Sequence, residues 1–183
     1  MRSWSPWRAA RVAASGFVLM VAAYYLMVAF DNLTNPMNPN ASNWPMVQGV
    51  LSGDGVPADS GFGWHFIDAT PVQVLAYLAI VAAEAIAGIA LLIGGSRGLQ
   101  LSRTHDRWAG AQRWTYLGGT VGLGLFFLGF MVIGGNWFIM YLNAKWNALQ
   151  PAFQNSAMTA LMLILVTGVL AGGQLAAVPQ DPG

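Results

Sequence analysis

Residues 71–94 read PVQVLAYLAIVAAEAIAGIALLIG, an apolar stretch that carries a single carboxylate, Glu84, near its middle. A helix needs about 20 predominantly apolar residues to cross the hydrocarbon core of a bilayer. Three further stretches, at about 12–30, 114–133 and 153–171, have the same apolar character. The chain is therefore predicted to be a single membrane domain of the all-α class, a bundle of four transmembrane helices.

The composition supports a membrane protein. Of the 183 residues, 56% are hydrophobic and 8% are charged, whereas soluble domains carry about 25% charged residues. The chain has no cysteine, which excludes disulfides, iron–sulfur clusters and cysteine nucleophiles. It also lacks the clustered basic face that nucleic-acid binding requires. The predicted partner is the lipid bilayer, not nucleic acid.

Positive charges fall almost entirely on one side of the predicted spans. Only Lys145 faces the other side, and the remaining cations are Arg2, Arg8, Arg11, Arg97, Arg103, Arg107 and Arg113. Cytoplasmic loops of membrane proteins are enriched in Lys and Arg. We therefore expect a bacterial inner-membrane protein with both termini and the basic loop 95–113 in the cytoplasm.

The outer loop, about 31–69, is rich in Asn, Pro and Gly, and turns should dominate it. Its one mildly apolar stretch, 44–51, is predicted to form a short helix at the membrane surface. All eight tryptophans fall near the predicted water boundaries. We interpret them as the aromatic belt of a membrane protein.

Glu84 is predicted to face the interior of the bundle, because a carboxylate near mid-bilayer must be protonated, paired or shielded from lipid. On a helix it shares a face with Ala87 and Gly88, whose small size admits a neighbouring helix. Thr120 and Thr167 are the polar side chains at a similar predicted depth. Three roles stay open for Glu84: a proton- or substrate-binding carboxylate, a neutral hydrogen-bonded carboxyl, or a contact with another subunit.

The third span carries glycines that predict close helix packing. Gly118 and Gly122 form a small-xxx-small pair, and Gly129 is expected on the same face one heptad later. A groove for a lipid, quinone or pigment is the alternative use of this face.

The sequence offers no catalytic set, because Ser, His and Asp do not occur in the context of a triad or nucleophile elbow. His65 and His105 are predicted on opposite sides of the membrane, so they cannot both bind one haem. His65 with Asp68 lacks a third metal ligand, and the outer-loop oxygens lack the spacing of a calcium loop. We expect no enzyme activity, no metal site and no cofactor.

Several stretches form a recognisable pattern: FDNLT at 30–34, VLSGD at 50–54, Glu84, GGNWFIM at 134–140 and WN at 146–147. They resemble a bacterial family of predicted small four-span integral membrane proteins that is catalogued as a domain of unknown function. The resemblance covers about 10–170 and implies a glutamate in the second span, but no activity. This chain departs from the family pattern in a longer outer loop around 37–43, and in His65 where an arginine is expected.

The family-like residues on the outer side are expected to close one compact cap, formed by Asp31, Asn32, Asp54, Gly135, Trp137, Trp146 and Asn147. A buried indole needs a hydrogen-bond acceptor. We therefore expect Asp31 or Asp54 to accept the indole N–H of Trp137 or Trp146. A purely structural cap and a ligand site at the cap both remain open.

The leading functional hypothesis is a non-catalytic accessory or stabilising subunit of a larger bacterial inner-membrane complex, respiratory or photosynthetic. The alternative is a small transporter or channel for a solute or proton, which predicts a water-accessible path to Glu84. A third hypothesis, a quinone- or lipid-linked enzyme, predicts a second polar group near Glu84 and a lateral opening.

Overall fold

The computed structural model describes residues 5–38 and 42–175, and in those ranges it contains helices and turns but no strand. Four of the helices are long and apolar enough to cross a membrane. The long helices are α1 Pro6–Thr34, α3 Thr70–Gln100, α4 His105–Leu123 with a π-helical continuation Gly124–Trp137, and α5 Leu149–Leu175. The all-α four-helix bundle predicted from the sequence is confirmed. The described residues leave out Arg2 and Trp4, which precede the first predicted span, and Asn40 of the predicted outer loop.

The shorter elements lie at the end of the bundle opposite the connection between α3 and α4. They are α2 Trp44–Ser52 and the 3₁₀ turns Ala58–Ser60, Gly63–His65 and Met140–Leu142. The predicted short helix at 44–51 is thus present as α2. Gly53 ends α2 in the left-handed region at φ 75°, a conformation that glycine adopts without a Cβ clash.

The long helices extend beyond the apolar spans from which they were predicted. Pro6 opens α1, and Ser5 caps it by accepting the N–H of Arg8 at 3.2 Å. At the other end of the bundle, the basic loop expected at 95–113 is mostly helical, and only 101–104 separate α3 from α4. Apolar length measures the part of a helix inside the bilayer, so polar turns at its ends are missed.

Helix α3 packs between α1 and α4 through small residues. A Cβ on Gly88 would lie 2.8 Å from Leu26 Cδ2 of α1, and a Cβ on Gly118 of α4 would lie 2.7 Å from the Ala87 carbonyl oxygen. At Gly122, a Cβ would collide with the ring of Tyr25 on α1. These glycines and Ala87 therefore serve close helix packing, as their spacing predicted.

The expectation that Gly129 continues this face is wrong. From Gly124 to Trp137 the helix is π-helical, and its wider turn does not return a residue seven positions later to the same side. A Cβ on Gly129 would meet only the Gly124 carbonyl oxygen, at 3.7 Å, among the described residues. The π-helical segment therefore changes which residues of 124–137 face the neighbouring helices.

Trp108 is a core residue and does not belong to the aromatic belt. It is fully buried, and its indole N–H donates to Ser15 Oγ at 3.0 Å. Nearby, Arg11 is also buried and donates from Nε to the Ser102 carbonyl at 2.8 Å. These bonds tie α1 to the first turn of α4 and to the turn between α3 and α4.

Gly118→Ala should lower the free energy of unfolding by about 1–3 kcal/mol, because the added methyl overpacks the contact between α3 and α4. The matched control is Gly110→Ala in the same helix, where the added Cβ has open space; it should be neutral or stabilise by up to about 1 kcal/mol. Denaturation of the purified protein in a mild detergent measures both. Equal effects at the two positions would contradict the close packing described here.

Candidate functional site

Glu84 is fully buried in α3 and faces the bundle interior, as its helical face indicated. Its Oε2 accepts a hydrogen bond from Asn32 Nδ2 at 2.8 Å. Its Oε1 is buried with no hydrogen-bond partner among the described residues. Thr120 and Thr167, the polar residues expected at its depth, lie on exposed faces, and Thr167 bonds to Tyr116 at 2.8 Å instead.

Asn32 meets Glu84 because of the antiparallel register between α1 and α3. Leu26 of α1 lies opposite Gly88 of α3, so residues later in α1, such as Asn32, face residues earlier in α3, such as Glu84. The apolar stretch predicted as the first span ends at Phe30, and Asn32 was expected in the outer loop. Helix α1 continues to Thr34, which brings Asn32 into the bundle.

Asn32 joins three segments of the chain. Its Oδ1 accepts the backbone N–H of Asn43 at 2.8 Å, and its carbonyl accepts the Tyr77 hydroxyl at 2.7 Å. The Tyr77 hydroxyl also bonds to Ser42 Oγ at 2.9 Å. The ring of Trp44, the first residue of α2, packs edge-on against Tyr77 with centroids 5.5 Å apart. The amide that holds Glu84 thus also fixes the chain that leads into α2.

A cavity of ≈ 310 Å³ lies beside Glu84, between α1, α5, the π-helical segment and the start of α2. None of its described lining residues is Lys, Arg or His. The side chains that give the cavity its chemistry are Tyr24, Asp31, Glu84, Phe126, Phe130 and Asn155. The cavity therefore combines two acidic groups with an aromatic wall.

An apolar groove of ≈ 380 Å³ runs along α1 and α5 next to this cavity. Tyr24 and Asn155 line both spaces. The groove continues towards the basic end of the bundle past Met20 and Met158, two exposed side chains. The cavity and the lipid-facing groove therefore adjoin at Tyr24 and Asn155.

The cap comprises residues 42–69 and 138–148, and Asp54 lies at its centre. Asp54 Oδ2 accepts Lys145 Nζ at 2.9 Å and the indole N–H of Trp146 at 3.1 Å. Asn143, which is buried, donates to the Asp54 carbonyl at 2.9 Å. The predicted bond between Asp54 and Trp146 is present. Sequence reasoning missed Lys145 and Asn143, although the lone cation on this side was a usable signal.

The other residues expected in the cap make contacts of their own. Asp31 lies on α1 and lines the cavity. Trp137 packs against His65, which hydrogen-bonds the Trp137 carbonyl through Nδ1. Asn147 accepts the first N–H of α5 at 3.1 Å, and Gly135 is buried in the π-helical segment. Among the described residues, the contacts of Asp31, Trp137 and Asn147 are separate from the bonds made by Asp54.

The GGNWFIM stretch at 134–140 contains, just before its end, a strained residue that the sequence patterns do not reveal. Ile139 has φ 46°, and it is the only non-glycine residue with positive φ in the described ranges. This conformation is unfavourable for a β-branched side chain. Ile139 is buried, and it turns the chain from the π-helical segment into the turn Met140–Leu142.

The family model described as "Predicted small integral membrane protein (DUF2165)" matches residues 10–168. The chain belongs to this family. The match contains Glu84, Asn32, the cavity and the cap, and the resemblance inferred from the sequence is confirmed. The protein is an integral membrane protein that sits in a lipid bilayer. No curated protein and no solved structure matches the chain.

In this family member, Asn32→Ala should reduce the free energy of unfolding by about 1–3 kcal/mol, because buried Glu84 loses its donor. In a Glu84→Leu background the same change should cost less, giving a coupling energy of about 1 kcal/mol in a double-mutant cycle. Asn136→Ala, at an exposed position, is the control. Strictly additive effects of Asn32→Ala and Glu84→Leu would contradict a stabilising hydrogen bond between Asn32 and Glu84.

The cap should weaken at low pH through Asp54. Hydrogen bonds from Lys145 and Trp146 hold the pKa of its carboxyl below the ordinary value of 3.8. A lowered folded-state pKa stabilises the fold above pH 3.8 and loses this effect as the pH falls through the folded-state value. The stability difference between wild type and Asp54→Asn should therefore be constant near neutral pH, shrink as the pH falls below about 3.8, and be lost below the folded-state pKa. A difference that persists in acid would contradict this assignment.

Proposed function

We propose that this integral membrane protein is a small non-catalytic transporter that binds its solute at Glu84. The observation that carries the proposal is the cavity beside a fully buried carboxylate whose Oε1 has no partner in the described chain. Ionisable side chains inside membrane bundles typically mark solute and ion pathways. A purely structural carboxyl would have both oxygens satisfied within the fold.

The closed interior below the cavity supports alternating access. One helical turn beyond the cavity, the Tyr25 hydroxyl bonds to Thr159 Oγ1 at 3.0 Å and joins α1 to α5. Leu91, Met162 and Val166 fill the interior further along, each with no exposed surface. A binding site that is closed towards one end of the bundle is what an alternating-access transporter presents in one of its states.

The proposed location is the bacterial inner membrane, with both termini in the cytoplasm and the cap outside. The support is the distribution of charge. Arg11, Arg97, Arg103 and Arg107 lie at one end of the bundle, where cytoplasmic loops carry their positive charge. At the other end, Lys145 is paired with Asp54. The solute would then enter from the outside.

The second candidate is an accessory subunit of a larger inner-membrane complex, respiratory or photosynthetic. It is favoured by an exposed aromatic cluster at the cap. Trp64 is 72% exposed and Trp137 is 49% exposed, and their rings lie 5.7 Å apart on either side of His65. Exposed aromatic clusters are typical of surfaces that partner subunits cover.

The natural absence of cysteine allows a direct test of transport. Asn155→Cys, in the cavity wall, should react with a membrane-impermeant thiol reagent in both right-side-out and inside-out vesicles, because alternating access exposes the site to each side in turn. Asp59→Cys, at an exposed cap position, is the control and should react from one side only.

Labelling of Asn155→Cys from one side only would contradict transport and leave a binding site. Absence of labelling from either side would contradict solute access to Glu84. Migration of the tagged chain with a stoichiometric larger complex on a native gel would favour the accessory subunit instead.

A further inference from the structure

We infer that the solute is an organic ammonium ion, with its charged group beside Glu84 and an apolar substituent in the groove between α1 and α5. This inference rests on the proposed function, because it names the class of solute for the same cavity. Three observations carry it: the charge of the cavity, its aromatic wall, and the apolar groove that adjoins it at Tyr24 and Asn155.

The charge of the cavity selects a cation. Glu84 and Asp31 are the acidic groups in the wall, and the described lining contains no basic side chain. An anionic solute would meet two carboxylates without a positive partner. Glu84 Oε1 is a buried acceptor that needs a donor, and an ammonium group carries N–H donors together with the opposite charge.

The size and the ligands of the cavity favour a small organic solute over a bare metal ion. No group of three or more His, Cys, Asp or Glu side chains that could hold a metal occurs in the described ranges. A volume of ≈ 310 Å³ is about ten times the share of one water molecule in the liquid. The space therefore suits a small organic molecule.

The aromatic wall of the cavity favours an organic cation over an inorganic one. Phe126 and Phe130 lie on successive turns of the π-helical segment, with ring centroids 5.7 Å apart. Tyr24 lines the cavity from α1. Aromatic rings attract ammonium groups through their negative faces and pack against the attached carbon atoms.

The groove between α1 and α5 can accommodate the apolar substituent of the ammonium ion. It begins at Tyr24 and Asn155, the residues it shares with the cavity, and continues past Phe17 and Met158. A chain attached to the ammonium group would follow the groove towards the centre of the bilayer. A free alkylamine and an amine with a single lipid chain share this chemistry.

The test is calorimetric titration of the protein in lipid nanodiscs, with empty nanodiscs as background. The probes are hexylammonium, methylammonium, hexanol and hexanoate. Hexylammonium should bind, methylammonium should bind more weakly, and the neutral and anionic probes should not bind. Glu84→Gln should weaken hexylammonium binding at least about tenfold, because it removes a charge-assisted hydrogen bond.

Asp31→Asn provides a second cavity variant if Glu84→Gln fails to fold, and it should weaken hexylammonium binding several-fold. Asp59→Asn removes an exposed carboxylate outside the cavity and should leave binding unchanged. Dodecylammonium distinguishes a lipid amine from a free alkylamine as the natural solute. Tighter binding than that of hexylammonium indicates a lipid amine, and equal or weaker binding indicates a free amine.

Binding of hexanoate or hexanol, but not hexylammonium, would overturn the ammonium assignment and leave the transporter proposal intact. Equal binding of methylammonium and hexylammonium would overturn the role of the groove. Failure of every probe would overturn the ammonium assignment, whereas the two-sided cysteine labelling decides the transporter proposal separately.

Discussion

Burying the Glu84 side chain among apolar helices costs free energy unless hydrogen bonds compensate for the lost water. The amide of Asn32 provides that bond to one carboxylate oxygen. The same amide accepts the N–H of Asn43, and the Asn32 carbonyl accepts the Tyr77 hydroxyl. One buried asparagine therefore positions the carboxylate, fixes the end of α1 against α3, and orders the chain entering α2.

The hydrogen bond between Asn32 and Glu84 depends in turn on how closely α1 and α3 approach each other. Lipid chains are as apolar as helix side chains, so helices in a membrane associate through shape and close packing. Gly88 lets Leu26 approach α3, and Gly118 lets α4 approach Ala87. Bulkier residues would move α1 away from α3 and take Asn32 out of reach of Glu84. The small residues thus determine the polar site as well as the packing.

The sequence predicts those features that follow from local periodicity. Apolar length identifies the four helices, helical spacing places Glu84 and its small neighbours inward, and the need of an indole for an acceptor pairs Asp54 with Trp146. It cannot predict features that depend on register between helices. The contact between Asn32 and Glu84 arises from such a register, and the burial of Trp108 depends on Ser15 of another helix. The π-helical segment has no signature in a seven-residue repeat, so the position of Gly129 was assigned wrongly.

The bonds of Asp54 connect parts of the chain that are synthesised far apart. Lys145 and Trp146 follow Asp54 by 91 and 92 positions, and both α3 and α4 lie between them. Asp54 can reach these partners only when the intervening helices have crossed the bilayer in opposite directions and returned the chain to its starting side. Closure of the cap is therefore a late event in biogenesis. It can occur only in a chain whose α3 and α4 have inserted into the membrane as a hairpin.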